Sequence, residues 1–318
     1  MTILSACTTD TIIGAAQALI DGALVVFPTE TVYGLGADAT NPVAVARIYS
    51  TKGRPENHPL IVHIPSIDSL GDWASAIPEY AITLARDFWP GPLTMVVTRS
   101  ALAGDFITGG QNTVGLRVPA QPLALALLKS FVSLGGKGVA APSANRFGAV
   151  SPTTATAVEE ELGLFLDLDR DLILDGGPSL VGVESTIVDC TGRAPRILRL
   201  GAITVAMIEE STGLKVEAIV QQEIRVSGSL DSHYSPKARV VLDAIAEGGD
   251  GFIAWSTVPT PTGAIRLASP SNIEQYARDL YAALRLGDQL GLTTIAVLQP
   301  EGEGLAEAIR DRLKKAAF

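Results

Sequence analysis

Two short runs in this sequence carry residue types suited to phosphate chemistry. Lys52-Gly53-Arg54-Pro55 follows a helix predicted to end near Ser50, which places both cations on an exposed loop. Lysine can act there as a point charge and arginine as a bidentate fork, while the glycine between them lets backbone approach a polyphosphate. The same spacing also describes a solvated helix C-terminus, where cations meet the helix dipole favourably. Ala141-Pro142-Ser143-Ala144-Asn145-Arg146 follows a short apolar strand. Ser143 and Asn145 put small hydrogen-bonding groups at a strand end, where α/β folds commonly bind ligands. Ser151-Pro152-Thr153 then offers a hydroxyl at a helix start, for which ordinary capping is the simpler account.

Arg117 alternates with apolar residues in TVGLRVP, so it needs an anionic partner, either a protein carboxylate or a ligand. His63 holds a similar place in LIVHI, where a structural role accounts for it as well as a functional one. With only His58, His63 and His233 in the chain, the sequence offers no histidine metal cluster. Ser185 lies in VESTIVD without the G-x-S-x-G elbow of a nucleophile. Gly34-Leu35-Gly36-Ala37-Asp38-Ala39 matches the dinucleotide pattern, but PTETVY separates it from the preceding strand and Asn41-Pro42 starts the helix too late. Gly136-Lys137 is followed by glycine, so no Walker A loop is present either. Any ATP site must use another geometry.

The elements that position these residues alternate. Helical spacing marks 10–21, 41–50, 78–88, 122–131 and 153–162, the second opened by Asn41 as N-cap and Pro42 at the first helical position. Strand patterns mark 23–27, 60–64, 93–98, 113–118, 137–141, 171–174, 185–190 and 196–200. The mixture predicts an α/β domain with a mixed sheet over residues 1–208. Beyond it the pattern weakens, and residues 209–237 read as a linker, most polar and turn-rich in 221–237. Residues 238–318 form a smaller α/β unit, with strands near 239–244, 252–255 and 294–299 and helices near 273–290 and 304–315.

The chain has 318 residues, 47% hydrophobic, with a net charge of −10. That acidity argues against tight nucleic-acid binding, which relies on basic surfaces. Local cationic stretches at 44–55 and 140–154 instead suit a small anionic ligand. Cys7 and Cys190 make no disulfide framework or zinc motif. The N-terminus lacks signal-peptide features and no apolar run approaches a membrane span, so the expectation is a soluble, cytoplasmic protein.

The motifs become specific in their order. FPTETVYGLGADA (27–39), STKGRP with NHPLIVH (50–63), WPGPLT (89–94), TVGLRVP (113–119), APSANRFGAVSPT (141–153) and VESTIVD (183–189) together closely resemble the threonylcarbamoyl-AMP synthase, or YrdC-type, family. The HYSPKA stretch (233–238) and the small domain after it resemble the longer, two-domain branch. The resemblance implies a twisted open YrdC-like sheet with a positively charged cleft and a smaller Rossmann-like second domain. It also implies an enzyme that condenses L-threonine, bicarbonate and ATP to threonylcarbamoyl-adenylate and pyrophosphate. A separate transferase complex then modifies the adenosine beside the anticodon of certain tRNAs. By the same resemblance the threonine site comprises Thr31, His63, Arg117, the Ala141 backbone and Ser185. The ATP site comprises Lys52, Arg54, His58, Thr113, Ser143, Asn145, Ser151, Arg199 and Tyr234. Among these Lys52, Arg54, Ser143 and Asn145 are the catalytic set, the last two orienting the phosphates. Mg2+ is implied as carried by ATP, with no side-chain ligand.

The linker departs from the branch: GSLDSHYSPKA stands where many members have a proline- and glycine-rich run, although its expected role is to cover the active site. The competing reading is a non-catalytic RNA-binding or regulatory module on the same fold, which the acidity opposes. A carbamoyl-transfer maturation factor would need zinc-finger or acylphosphatase-like regions, and the sequence has neither.

Overall fold

The structure, a computed structural model, describes residues 3–4, 8–217, 224–228 and 234–317. Cys7, His233 and residues 218–223 and 229–233 of the expected linker lie outside the described residues. The first elements are β1 (Ile3–Leu4), α1 (Thr9–Ile20), β2 (Val25–Phe27), β3 (Gly34–Asp38), α2 (Pro42–Lys52) and β4 (Ile61–His63). Next come α3 (Leu70–Trp73), β5 (Ala74–Ala76), α4 (Glu79–Phe88), β6 (Leu93–Arg99), α5 (Asp105–Thr108) and β7 (Thr113–Arg117). Then follow α6 (Pro122–Ser133), β8 (Val139–Ala140), α7 (Ala155–Leu162), β9 (Leu172–Leu174), β10 (Thr186–Asp189), β11 (Arg196–Arg199) and α8 (Val205–Thr212). The last part holds β12 (Arg239–Leu242), β13 (Gly251–Ile253), β14 (Ile265–Ala268), α9 (Ile273–Gln289), β15 (Thr294–Val297) and α10 (Leu305–Ala316).

Eleven strands form one mixed sheet in the order β1-β9-β2-β3-β8-β4-β7-β6-β10-β11, with β5 added on β6. A separate all-parallel sheet runs β12-β15-β13-β14. The α/β class and the second, smaller α/β unit therefore match the sequence expectation. The boundary expected at residue 208 falls inside α8, which packs on α4 and is tied to it by Ser211 Oγ donating to Asp87 Oδ2 at 2.6 Å.

Local chemistry explains where the sequence reading and the structure differ. Asn41 caps α2 as expected, accepting from the amides of Val43 and Ala44, with Pro42 at the first position. The helix does not stop at Ser50, because Gly53 at φ 63° supplies the left-handed C-cap and carries the helix through Lys52. Lys52 is thus helical, and both Lys52 and Arg54 are buried, contrary to the exposed loop expected for them. Thr154 caps α7 by accepting from Ala157 N, and Ser151 does not cap at all. The glycine pattern at 34–36 is strand β3, paired antiparallel to β2. A Cβ at Gly36 would lie 2.8 Å from the Phe27 ring and from Val139, so that glycine serves strand packing. The sequence reading also missed the short elements β1, β3, α3, β5 and α5, and with them α8 and β14.

Candidate active site

Parallel pairing of β4 with β7 sets His63 opposite Arg117, the last residue of each strand. Arg117 donates from Nη2 to Glu30 Oε1 at 2.6 Å, from Nη1 to Thr31 Oγ1 at 2.9 Å and from Nε to Gly91 O at 3.3 Å. The anionic partner demanded by its strand is therefore a protein carboxylate, Glu30, whose other oxygen accepts from Ala120 N at 2.9 Å. One N–H on each terminal nitrogen is left over, because guanidinium carries five donors. His63 packs edge-on against Phe27, with its Nδ1 buried and unpartnered. Burial, helped by the Arg117 charge, lowers its pKa to about 3, so the imidazole is neutral. Ser185 shares a 2.8 Å hydrogen bond with Thr94 and accepts from Arg199 Nη2 at 3.0 Å.

The end of α2 supplies the second group. Lys52 Nζ donates to Ser143 O at 2.6 Å and to Asn145 O, so it ties the 141–146 loop down. Burial, with Arg54 adding to it, holds its pKa well below the lysine range. Arg54 donates from Nη2 to Pro59 O at 3.0 Å and to Ser227 Oγ at 3.1 Å. Burial pulls its guanidinium down to about 10, and its Nε stays unpartnered. Arg199 spans Ser185 O and Ser227 O, both at 3.0 Å.

Both groups open onto one cleft. Of the sequence-predicted residues, Thr31, His63, Arg117, Ala141, Ser185, Lys52, Arg54, Ser143, Asn145, Arg199 and Tyr234 line it. Thr113 lies instead in an adjoining pocket of about 310 Å³, which shares Ile61 and Ser227 with the cleft. His58 and Ser151 line neither. His58 packs edge-on against the cleft residue Phe147, and Ser151 Oγ donates to Glu184 Oε1 at 2.6 Å.

Asn145 corrects a further expectation. Its Nδ2 donates to Arg146 O at 2.7 Å and to Ala149 O at 2.8 Å, so both amide hydrogens are spent within its own loop. Turning the amide over would set its oxygen against two carbonyls, so the orientation is fixed. Oδ1 is left buried and unpartnered, an acceptor rather than a phosphate donor. The sequence reading missed two carboxylates, Glu30 in PTET and Glu184 in VEST. Each sits directly before a residue that was singled out, and a lone charge in an otherwise uncharged run was the available signal. Among the described residues, no three His, Cys, Asp or Glu side chains gather to hold a metal. No helix among them is long and apolar enough to cross a membrane.

Comparison with known proteins identifies the family. Residues 17–201 match the family described as telomere recombination, and residues 203–318 match the threonylcarbamoyl-AMP synthase C-terminal domain. The threonylcarbamoyl-AMP synthase of Pyrococcus abyssi is 38% identical over 323 residues, covering 95% of this chain and 93% of the relative. That of Bacillus subtilis is also 38% identical, over 338 residues, covering 98% and 94%. A crystal structure of P. abyssi Sua5 complexed with L-threonine aligns with a TM-score of 0.86 at 36% identity, covering 98% of this chain and 95% of that one. The chain belongs to the threonylcarbamoyl-AMP synthase family, in its two-domain Sua5 form.

Proposed function

We propose that this chain is an L-threonylcarbamoyladenylate synthase, joining L-threonine, bicarbonate and ATP with release of pyrophosphate. The observation that carries the reading is the pairing, in one cleft, of an arginine–imidazole end with a cluster of three buried cations. Arg117 has two N–H groups left for the threonine carboxylate, and the neutral His63 ring borders the same end of the cleft. Thr31 and Ser185 flank the same end. Lys52, Arg54 and Arg199 face the nucleotide phosphates, with Ser143 beside them. Thr113 and the apolar walls of the adjoining pocket, Val96 and Ile187, take the base. His58 and Ser151 then act from behind the lining, through Phe147 and Glu184.

In the reaction, the threonine amine and bicarbonate give a carbamate and water. A carbamate oxygen then attacks the α-phosphorus, and pyrophosphate leaves. No covalent enzyme intermediate is needed, so catalysis rests on positioning and charge stabilisation. Carbamates decompose readily in water, and the linker residues beside the cleft answer that need. Arg225 exchanges two hydrogen bonds with Gln111, at 2.7 and 3.0 Å, while Val226 packs on Val96 and Ile187. Mg2+ fits as an ion brought by ATP, supplying charge neutralisation when bound, and Asn145 Oδ1 is the buried acceptor that would face it. The product passes to a tRNA-modifying transferase complex, and a cytoplasmic location follows from that role.

The test is pyrophosphate release from ATP with threonine and bicarbonate omitted in turn. Release that depends on both supports the reading. Release indifferent to threonine, or none, sinks it.

A further inference from the structure

Helix α10 carries a fully buried arginine that the chemistry above leaves unused. Arg312 donates from Nε to Glu184 Oε2 at 2.8 Å and from Nη2 to Leu200 O at 2.9 Å, and its guanidinium lies 5.3 Å from the centre of the Tyr234 ring. Tyr281 of α9 donates its hydroxyl to the same Glu184 oxygen at 2.8 Å and stacks on Tyr234 at 5.7 Å. One turn beyond Arg312, Lys315 donates to Gly228 O at 2.8 Å. Glu184, Gly228 and Tyr234, the three residues so held, all line the cleft.

These contacts are costly for mere adhesion between two units. A buried ion pair seldom stabilises more than apolar packing of the same volume. Tyr234 also sits at φ 63°, a left-handed conformation that costs about 1–3 kcal/mol outside glycine and persists only where the surroundings enforce it. Burial alone would raise the Glu184 pKa. Arg312, Arg199 and the Ser151 hydroxyl outweigh it and bring the carboxyl to about 2, so a fixed negative charge stands beside Arg199. The second unit thereby sets both the charge and the shape of the cleft wall beside Arg199.

We propose that Arg312, Lys315 and Tyr281 are positioning residues for the nucleotide end of the cleft, acting through Glu184, Gly228 and Tyr234. The second domain is then part of the active site without touching substrate. This inference rests on the proposed function for the identity of the ligand, but binding of a non-hydrolysable ATP analogue tests it without turnover.

Lys315→Met and Tyr281→Phe strand no buried charge, so both should fold. Each should weaken the analogue about tenfold, or about 1.4 kcal/mol, with the loss in the KM for ATP rather than in kcat. Threonine affinity should change less than twofold. Arg312→Met should lose more and Arg312→Lys should recover part. The double variant Glu184→Gln/Arg312→Met should regain thermal stability relative to Arg312→Met without regaining analogue affinity. Arg310→Ala is the control, because among the described residues Arg310 on the same helix bonds Pro300 O and Gly302 O of its own unit. Unchanged analogue affinity in Lys315→Met and Tyr281→Phe would overturn the inference. So would losses that fall equally on both ligands and vanish with stability in the double variant. A wild type that binds the analogue but lacks threonine-dependent pyrophosphate release overturns the proposed function alone. A wild type that does not bind the analogue overturns both.

Discussion

Replacing Arg117 by lysine separates a threonine-binding arginine from a structural one. The side chain makes three hydrogen bonds, to Glu30, Thr31 and Gly91, and offers two further N–H groups to a ligand. Lysine can keep one charged contact with Glu30 but cannot hold that carboxylate and fork onto a second one. The cost to the fold is modest, because Thr31 Oγ1 keeps its 2.8 Å bond to Thr29 and only Gly91 O loses its side-chain donor. One unsatisfied buried carbonyl costs about 1–3 kcal/mol. The cost to threonine is the loss of one charge-assisted hydrogen bond, about 1.5–3 kcal/mol, or roughly 10- to 150-fold in its dissociation constant. An ATP analogue meets the cations at the other end of the cleft and should bind within about twofold of wild type. Calorimetric titration of both ligands on wild type and Arg117→Lys gives the comparison directly. Equal weakening of the two ligands, or an unaltered threonine constant, would refute the assignment.

Other expectations follow from the same contacts. Lys52→Ala should abolish most turnover and also lower stability by about 2–4 kcal/mol, because the carbonyls of Ser143 and Asn145 lose their shared donor. Arg54→Ala should cut turnover with a smaller thermal shift, and near-normal pyrophosphate release in both would return them to a structural role. Asn145→Ala should raise the Mg2+ concentration for half-maximal pyrophosphate release severalfold, whereas an unshifted Mg2+ titration would remove the acceptor role. His63 has a folded pKa of about 3 against 6.5 unfolded, so between those values the unfolded chain binds more protons. Stability should therefore fall as pH drops from 6.5, by up to about 1.4 kcal/mol per unit, and His63→Gln should lack that slope in thermal melts between pH 5 and 7. His58, whose pKa burial also lowers, adds a slope to both proteins, so equal slopes in the two would show that the His63 imidazole is not held neutral.

Much of the fold was legible because its signals are local. Asn41-Pro42 opens α2, alternation marks β7, and the amphipathic period of α9 is visible over its whole length. What local pattern could not show is pairing across distance. Arg117 and Glu30 are 87 positions apart, Lys52 and Asn145 are 93 apart, and Arg312 and Glu184 are 128 apart. No period in the chain records such contacts. The same limit explains why Lys52-Gly53-Arg54 read as an exposed loop: burial of those cations depends on the 141–146 loop and on Ser227, which lie far along the sequence. The Gly34–Gly36 pair, rejected as a dinucleotide motif on its spacing, belongs to strand β3, where Gly36 packs closely against Phe27 and Val139.

The charge arrangement explains why this cleft needs no nucleophile of its own. Lys52, Arg54 and Arg199 are buried close together, and burial depresses the pKa of each, the sign of cations held short of counter-charge. Backbone carbonyls and serine oxygens hold them in place but do not neutralise them. Glu184 supplies one negative charge beside Arg199, and Arg312 and Tyr281 compete for that same carboxylate. On the proposed function a polyphosphate supplies counter-charge to these buried cations, so its binding is favoured by their charge. At the other end Arg117 already has Glu30, which leaves it directional hydrogen-bonding capacity more than uncompensated charge. On the proposed function the two ends select differently: one by charge, for the nucleotide, and one by geometry, for a small zwitterion. In the proposed reaction, holding both reactants in such different environments would set the carbamate oxygen against the α-phosphorus, and catalysis would rest on that placement.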